Sequence, residues 1–526
     1  MQTLFYNGEI LTMEEPLYAE ALLLEDGRIL AVGAREELEL KACPGVQRVD
    51  LGRKTLLPAF LDPHSHFASF ATTLSLAQLG DAKSFEDIQN ILRAFKKDRK
   101  LNDEDWIIAF GYDHNVLREK AHPTKDVLDG VSVTNPILIT HMSGHMGAVN
   151  SKALKVAGIS ADTRDAAGGK IGRSPSGEPN GYLEEGAFFG IASLTPKMTL
   201  EDTLRLLEEA QQIYFQNGVT TIQEGLMKQN EFHLITQLAQ QGRLKADVVG
   251  YAEVSDPTLF EEHPQYRGQY RNHFKIGGYK MILDGSPQGK TAWLTKPYEE
   301  EDEYRGYPVM TDEEVHSHIK RAMMDKAQLL THCNGDAAAD QLITAFEKVM
   351  EETKTPDTRR PVMIHAQTVR SDQLDRMKAI AMIPSYFVAH TYYWGDTHLK
   401  NLGERALSIS PLATTVQKGM IFTLHQDSPV LPPDMLDTLW CAVNRKTRDG
   451  ADIGEGERVS VLEALRGVTV YAAYQYFEEE EKGTLSAGKR ADLVILSRNP
   501  LKVPPDKLRE IQVMETIKDG ETVYKR

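Results

Sequence analysis

Residues 55–67 read TLLPAFLDPHSHF, a short apolar run that breaks at Asp62-Pro63 and closes on His64 and His66. In an extended segment successive side chains alternate faces, so one intervening residue puts both imidazoles on the same side. That spacing suits two ligands of one metal ion. Two structural histidines would look the same, and the pair alone leaves both readings open.

Three further runs end the same way: QLLTH at His332, PVMIH at His365 and MIFTLHQD at Asp427. A run apolar on both faces suits a strand of a parallel sheet. A polar residue at its carboxyl end suits the active-site face of a (β/α)8 barrel. Four strand ends are therefore expected to converge on one centre.

Helices are expected between them. SFEDIQNILRAF sets Ser84 and Asp87 at capping-box spacing and puts Phe85, Ile88, Leu92 and Phe95 on one stripe. Thr199, Thr311 and Ser460, each with an acidic residue three positions on, mark similar starts. The helix from Thr199 is expected to stop at Gly218, before a buried strand GVTTIQEG. Such alternation predicts an α/β parallel sheet. The two chain ends differ from the middle: TLFYNGEILTM, ALLLEDGRILAVGA, RADLVILS and VMETIKDGETVYKR read as strands with Asn-Gly and Asp-Gly turns. Residues 1–57 and 485–526 are expected to fold together as a small β-domain, with the barrel over 58–484.

Composition narrows the class of function. With 526 residues, 41% hydrophobic content and a formal charge of -16, the chain is long enough for a barrel and a second domain, and it lacks the basic stripe a nucleic-acid partner requires. Cys43, Cys333 and Cys441 are too few and too scattered for a disulfide framework, which points to a reducing compartment. There is no basic-then-apolar leader and no run near the roughly 20 apolar residues of a spanning helix. A soluble, cytoplasmic protein is the expectation. Lys280 stands out within the apolar stretch FKIGGYKMILDGS, where a free ammonium is costly to bury. Its head either reaches solvent, pairs with Asp284, or serves a site.

Taken together, LPAFLDPHSH, SGHMGAVNSKAL (143–154), KMILDGSPQGKTAWL (280–294), LLTHCNGDAA, the His365 strand, QDSPV and GTLSAGKRADLVIL resemble one family in order along nearly the whole chain. It is the amidohydrolase superfamily of metal-dependent hydrolases, and within it the amidohydrolase-3 group typified by YtcJ-like proteins and N-substituted formamide deformylase. The resemblance implies a (β/α)8 TIM barrel with a β-sandwich built from both termini. It implies ligands His64 and His66 from the first strand, His332 and His365 from the fifth and sixth, and Asp427 from the eighth, holding one or two divalent ions, Zn²⁺ in the first instance. Lys280 matches the position that some members carboxylate with carbon dioxide. A carbamate there would help to balance four metal charges that neutral imidazoles leave uncompensated, whereas an ammonium would repel them.

The implied reaction is attack of a metal-activated hydroxide on a small-molecule amide, with Asp427 as general base. Two features depart from the family pattern. His425-Gln426-Asp427 stands where many relatives have Gly-Ser before the aspartate, leaving His425 as either a substrate contact or a packed ring. Glu224, closing GVTTIQEG, is open as a substrate contact or as a ligand if Lys280 is structural. His145 matches a family position near the pocket, and His114, Trp293, Tyr392, Tyr393 and Trp394 are candidates for its walls. Hydrolysis of a linear or N-substituted carbon–nitrogen bond leads. A deaminase is second, because His332 is followed by Cys-Asn-Gly-Asp and not by the glutamate such enzymes place there. An esterase or lactonase and a metal-free scaffold complete the alternatives. Self-association into a homo-oligomer is common in the family and stays open here.

Overall fold

Eight parallel strands carry the middle of the chain in sequence order: β1 (Phe60–Leu61), β2 (Val219–Met227), β3 (Asp247–Glu253), β4 (Phe274–Ile282), β5 (Gln328–Cys333), β6 (Val362–His365), β7 (Ile383–Tyr386) and β8 (Thr423–Leu424). They belong to a computed structural model that describes residues 1–142, 144–165, 169–354 and 359–526. Ser143, which opens the SGHMGAVNSKAL motif, lies outside the described residues. The sheet curls, and the segments beyond its two end strands touch, the N–H of His66 beyond β1 donating to the carbonyl of Ser428 beyond β8 at 2.8 Å. Strands β2, β3 and β5 are buried along nearly their whole length, as covered parallel strands must be. Leu61, Val249, Tyr251, Leu330, Ile364 and Ile383, from five of the strands, pack into one apolar cluster against Ala472, Ala473 and Tyr476.

The helix starts follow their caps. Ser84, Thr311 and Ser460 accept the N–H three residues on, and Glu314 reaches back to complete a capping box. The helix Leu200–Gln216 ends before Gly218 at φ 77°, and β2 begins at the next residue.

Two compact units divide the chain: residues 1–69 with 207–526, and residues 70–206. The second falls within the span read from sequence as barrel. It holds a six-stranded sheet in the order Gly169–Arg173, Pro179–Glu184, Met146–Val149, Ile137–His141, Ile107–Tyr112, Ala77–Gln78. Ile88, Leu92, Ile107, Ile137 and Ile139 lie in its core.

Both chain ends enter a third sheet of eight strands, inside the first unit. Gln2–Leu11 pairs with Tyr18–Glu25 and with Thr55–Pro58, which in turn pairs with Leu493–Leu496. Asp26-Gly27 and Asp519-Gly520 make the hairpin turns with both residues at positive φ. Asn7-Gly8, expected as a turn, is instead part of one continuous strand Gln2–Leu11 whose register slips between Tyr6 and Ile10. A Cβ on Gly8 would lie 2.6 Å from both Leu51 Cβ and the Lys54 carbonyl, so glycine allows the neighbouring segment to close on the bulge.

At the amino end of β3, Asp247 meets Lys482 at 2.6 Å, Lys518 and Arg490 at 2.9 Å, and His273 at 2.8 Å. Glu478 pairs with Lys482 at 2.7 Å and with Lys275. No helix among the described residues is long and apolar enough to cross a membrane.

Candidate metal centre

At the opposite, carboxyl ends of these strands a group of histidine, lysine and aspartate side chains meets. His64 and His66 follow β1, Lys280 lies in β4, His332 and His365 lie in β5 and β6, and Asp427 follows β8. Asp427 Oδ1 lies 3.3 Å from His64 Nε2 and 3.5 Å from His66 Nε2, and its Oδ2 is 3.9 Å from His365 Nε2. Lys280 Nζ is 3.2 Å from His64 Nε2, and His332 Nδ1 is 3.0 Å from His365 Nε2. Lys280 is 2% exposed, so neither an ammonium reaching solvent nor a pair with Asp284 describes it. Asp284 instead accepts the backbone N–H groups of Trp293, Asn334 and Gly335. Asp427, at φ 56°, and His365, at φ 72°, both take left-handed backbone, a strain that tightly packed sites sustain.

A neighbouring group fixes which nitrogen of His64 is bare. The Gln223 amide donates to the Pro63 carbonyl and the Tyr476 hydroxyl, so its oxygen faces His64 Nδ1 at 2.7 Å and must accept the proton there. His64 Nε2 is then a lone pair, pointing at Asp427 Oδ1, a buried oxygen with no hydrogen-bond partner among the described residues. Gly225 gives the His64 ring its room, since a Cβ there would lie 2.7 Å from Cε1. His332 Nε2 lies 3.3 Å from the Gly285 carbonyl, an acceptor, and 3.1 Å from the Asn334 amide nitrogen, a donor, so either tautomer of this ring has a partner there.

Burial, with added repulsion from nearby charges, holds His64, His365 and His425 well below the ordinary imidazole range, His66 down to about 3 and His332 to about 4. Burial also pushes the Lys280 ammonium down and the Asp427 carboxyl up, each opposed by the other's charge. Neutral imidazoles with converging lone pairs around an orphaned carboxylate oxygen are short of a positive charge. The donor set fits a divalent ion of the Zn²⁺ type, with His64, His66 and Asp427 already grouped as three ligand atoms.

Other expected site residues lie elsewhere. Glu224 does not join the imidazoles: its carboxylate accepts the Ala68 N–H at 2.7 Å, at the start of the helix Phe67–Thr73, and so holds the segment after His66. His425 is fully buried, with Nε2 3.2 Å from His365 Nδ1 and Nδ1 2.9 Å from Ser385 Oγ, so its ring backs His365 and has no surface to offer a substrate. Trp293 lines a 530 Å³ groove with His316, Asp340, Gln341 and Lys348, away from the imidazoles. Its N–H and carbonyl tie the chain to Asp284 and to the helix Asp336–Thr353. Tyr392 and Tyr393 pack under Arg509 and Arg448, and Trp394 against Phe387.

His145 and His114 belong to the 70–206 unit. His145 is largely exposed and lies 3.3 Å from Glu185. His114 sits in a cluster with Asp113 and His141. Gln223 and Ser385 were not singled out from sequence. Strand alternation could have found Gln223, since only one of two adjacent residues can face His64.

A curled parallel sheet with a histidine-carboxylate centre at its carboxyl edge defines a class, the metal-dependent hydrolases. The chain belongs to the amidohydrolase family, whose model matches residues 47–524. It is similar to YtcJ of Bacillus subtilis (strain 168), 27% identical over 558 residues and 100% of both chains. The N-substituted formamide deformylase of Arthrobacter pascens is 26% identical over 97% of this chain and 95% of its own. Among solved structures, an uncharacterised metal-dependent hydrolase from Pyrococcus furiosus superposes with a TM-score of 0.74 at 26% identity, covering 95% of this chain and all of that one.

Proposed function

We propose that the protein hydrolyses a carbon–nitrogen bond in a linear or N-substituted amide, using a divalent centre, Zn²⁺ in the first instance. We read the curled sheet as a (β/α)8 barrel and the sheet of both chain ends as the family's β-sandwich, with 1–57 and 485–526 as one domain. The observation that carries the reading is the convergence of bare imidazole nitrogens on Asp427 and Lys280. Similarity to a deformylase that acts on N-substituted formamides supports the substrate class.

His64, His66 and Asp427 would hold one ion and His332 with His365 a second. Lys280, 3.2 Å from His64 Nε2, would supply a further anionic ligand as a carbamate formed from its amine and carbon dioxide with release of a proton. A divalent ion held there supplies Lewis-acid polarisation of a carbonyl and lowers the pKa of water. Asp427, in contact with His64, His66 and His365, takes the proton of the attacking water and returns it to the departing amine. His425 and Gln223 hold the rings of His365 and His64, and Glu224 anchors the segment that follows His66. His145 and His114 remain candidate substrate contacts of the 70–206 unit.

The test joins metal content to turnover. Protein purified without added metal or chelator is expected to contain divalent metal by mass spectrometry and to release amine from an N-substituted formamide. Activity should vanish on chelation and return with Zn²⁺. Ammonia released from cyclic amidines with amides untouched would replace the reading by a deaminase. A carbon-13 resonance at Lys280 after equilibration with labelled carbon dioxide is expected, and a bare amine in the metal-loaded protein would remove the carbamate.

A further inference from the structure

The 70–206 unit has its own cluster of potential ligands, built on two adjacent parallel strands. Ile107–Tyr112 and Ile137–His141 pair in parallel, and a register slip between Phe110 and Tyr112 sets Tyr112 opposite His141. Asp113 and His114 continue directly from the first strand, and His141 ends the second. Three donor atoms therefore meet on a rigid edge: His114 Nδ1 to His141 Nε2 is 3.3 Å, His141 Nε2 to Asp113 Oδ1 is 3.7 Å, and His114 Nδ1 to Asp113 Oδ1 is 3.9 Å. Around a tetrahedral ion with bonds of about 2.0–2.1 Å, neighbouring ligand atoms lie about 3.3 Å apart. One edge already has that length, and the others close by a few tenths of an ångström.

Each ligand has a neighbour that holds it. Asp113 Oδ1 also accepts the Asn115 N–H at 2.8 Å, which fixes the carboxylate. The His114 ring stacks on His122, centroids 4.0 Å apart, and His122 Nδ1 is 3.1 Å from the Tyr112 hydroxyl. Tyr182 lies against the same ring at 4.3 Å. Burial lowers His141 from the ordinary imidazole range, and with the neighbouring rings takes His122 to about 4. Without an ion, His114 Nδ1 and His141 Nε2 can share one proton at most, and the carboxylate faces both. Supporting contacts of this kind accompany the ligands of metal sites.

We propose that Asp113, His114 and His141 form a second metal site, with a ligand set of its own, for a divalent first-row transition ion such as Zn²⁺. Two imidazoles and one carboxylate leave a coordination position open, as in zinc sites that bind water or a substrate oxygen. His114 is 29% and Asp113 22% exposed, so that position is reachable from solvent. The set resembles the 2-His-1-carboxylate arrangement more than a closed structural site.

Cobalt(II) is the probe, titrated into the full-length chain carrying His64→Ala and His66→Ala, which removes the first pair of ligands at the main centre. One equivalent beyond any held by His332 and His365 is expected to bind, with the visible absorption of a low-coordinate ion. That signal should be lost when Asp113→Asn or His141→Gln is added. Absence of binding in this background, or binding unchanged by both substitutions, overturns the site. If the background does not fold, as judged by its melting transition, metal content of the otherwise unaltered chain replaces the titration. Loss of one equivalent in Asp113→Asn supports the site, and an unchanged count overturns it. Because the readout is metal at Asp113, a failure here leaves the amide-hydrolase reading untouched, and failure of that reading does not affect this site.

Discussion

The two ends of the parallel strands bury charge in opposite ways. At the amino end, Asp247 and Glu478 are enclosed by Lys275, Lys482, Lys518 and Arg490, so that each acid meets at least one base. Burial alone would raise Glu478, yet Lys275 and Lys482 outweigh it and bring the carboxyl to about 2. At the carboxyl end, five imidazoles are driven toward neutrality and Asp427 Oδ1 has no hydrogen-bond partner among the described residues. One end is electrostatically closed by the chain itself. The other would be closed by the proposed divalent ion. Burial of ionisable groups thus marks stability or function according to whether the partners are already present.

Asp427→Asn should sharpen the contrast most, lowering turnover by about 10³-fold or more while the melting temperature holds, as loss of general acid–base catalysis predicts. Steady-state rates beside a thermal melt decide it, and near-normal turnover would sink the assigned role. Asp247→Ala tests the closed end. It removes the acid shared by Lys482 and Lys518, each no more than 3% exposed, leaving Lys482 to Glu478 and Lys518 to Asp492 and Asp519, and should cost about 3–5 kcal/mol in urea unfolding. A loss below about 1 kcal/mol would show that these bases find other partners or solvent.

Acid should then undo the closed end. A carboxyl depressed in the folded state adds stability above its unfolded pKa, near 4.5, and loses it as pH falls through the folded value of about 2. The Glu478 contribution, on the order of 3 kcal/mol from a shift of about two to three units, should therefore disappear between pH 4.5 and 2. Glu478→Gln should flatten that part of the stability curve, and an unchanged slope would exclude the pairing as its source. The smallest effect expected is for His425→Phe, which removes the ring behind His365 and should weaken metal affinity about 10- to 100-fold. Competition with a chromogenic chelator measures it.

Much of the centre was legible in the chain because His64, His332, His365 and Asp427 each close an apolar run, and strand direction turns that position into a place. The same signature concealed the 70–206 unit. IIAFGY and ILITH read like barrel strands, and nothing local distinguishes a strand of the curled sheet from one in a separate sheet. Asn7-Gly8 failed for a related reason: the dipeptide announces positive φ, which serves a bulge as well as a turn. Glu224 and Gln223 are neighbours on alternating faces, and the charged residue drew the functional reading while the neutral amide orients His64. His425 and Trp293 could be placed only once the rings beside them were known.

The sheet of both chain ends has a consequence for synthesis. Thr55–Pro58 is flanked by Gln2–Leu11 on one side, made early, and on the other by Leu493–Leu496, which leaves the ribosome more than 400 residues later. Until then the nascent chain carries an apolar strand with one bare edge, directly before the segment that bears His64 and His66. A translation product stopped short of residue 493 keeps that edge open, ready to pair with another chain. Synthesis of Leu493–Leu496 and closure of the edge that precedes His64 and His66 are thus the same late event.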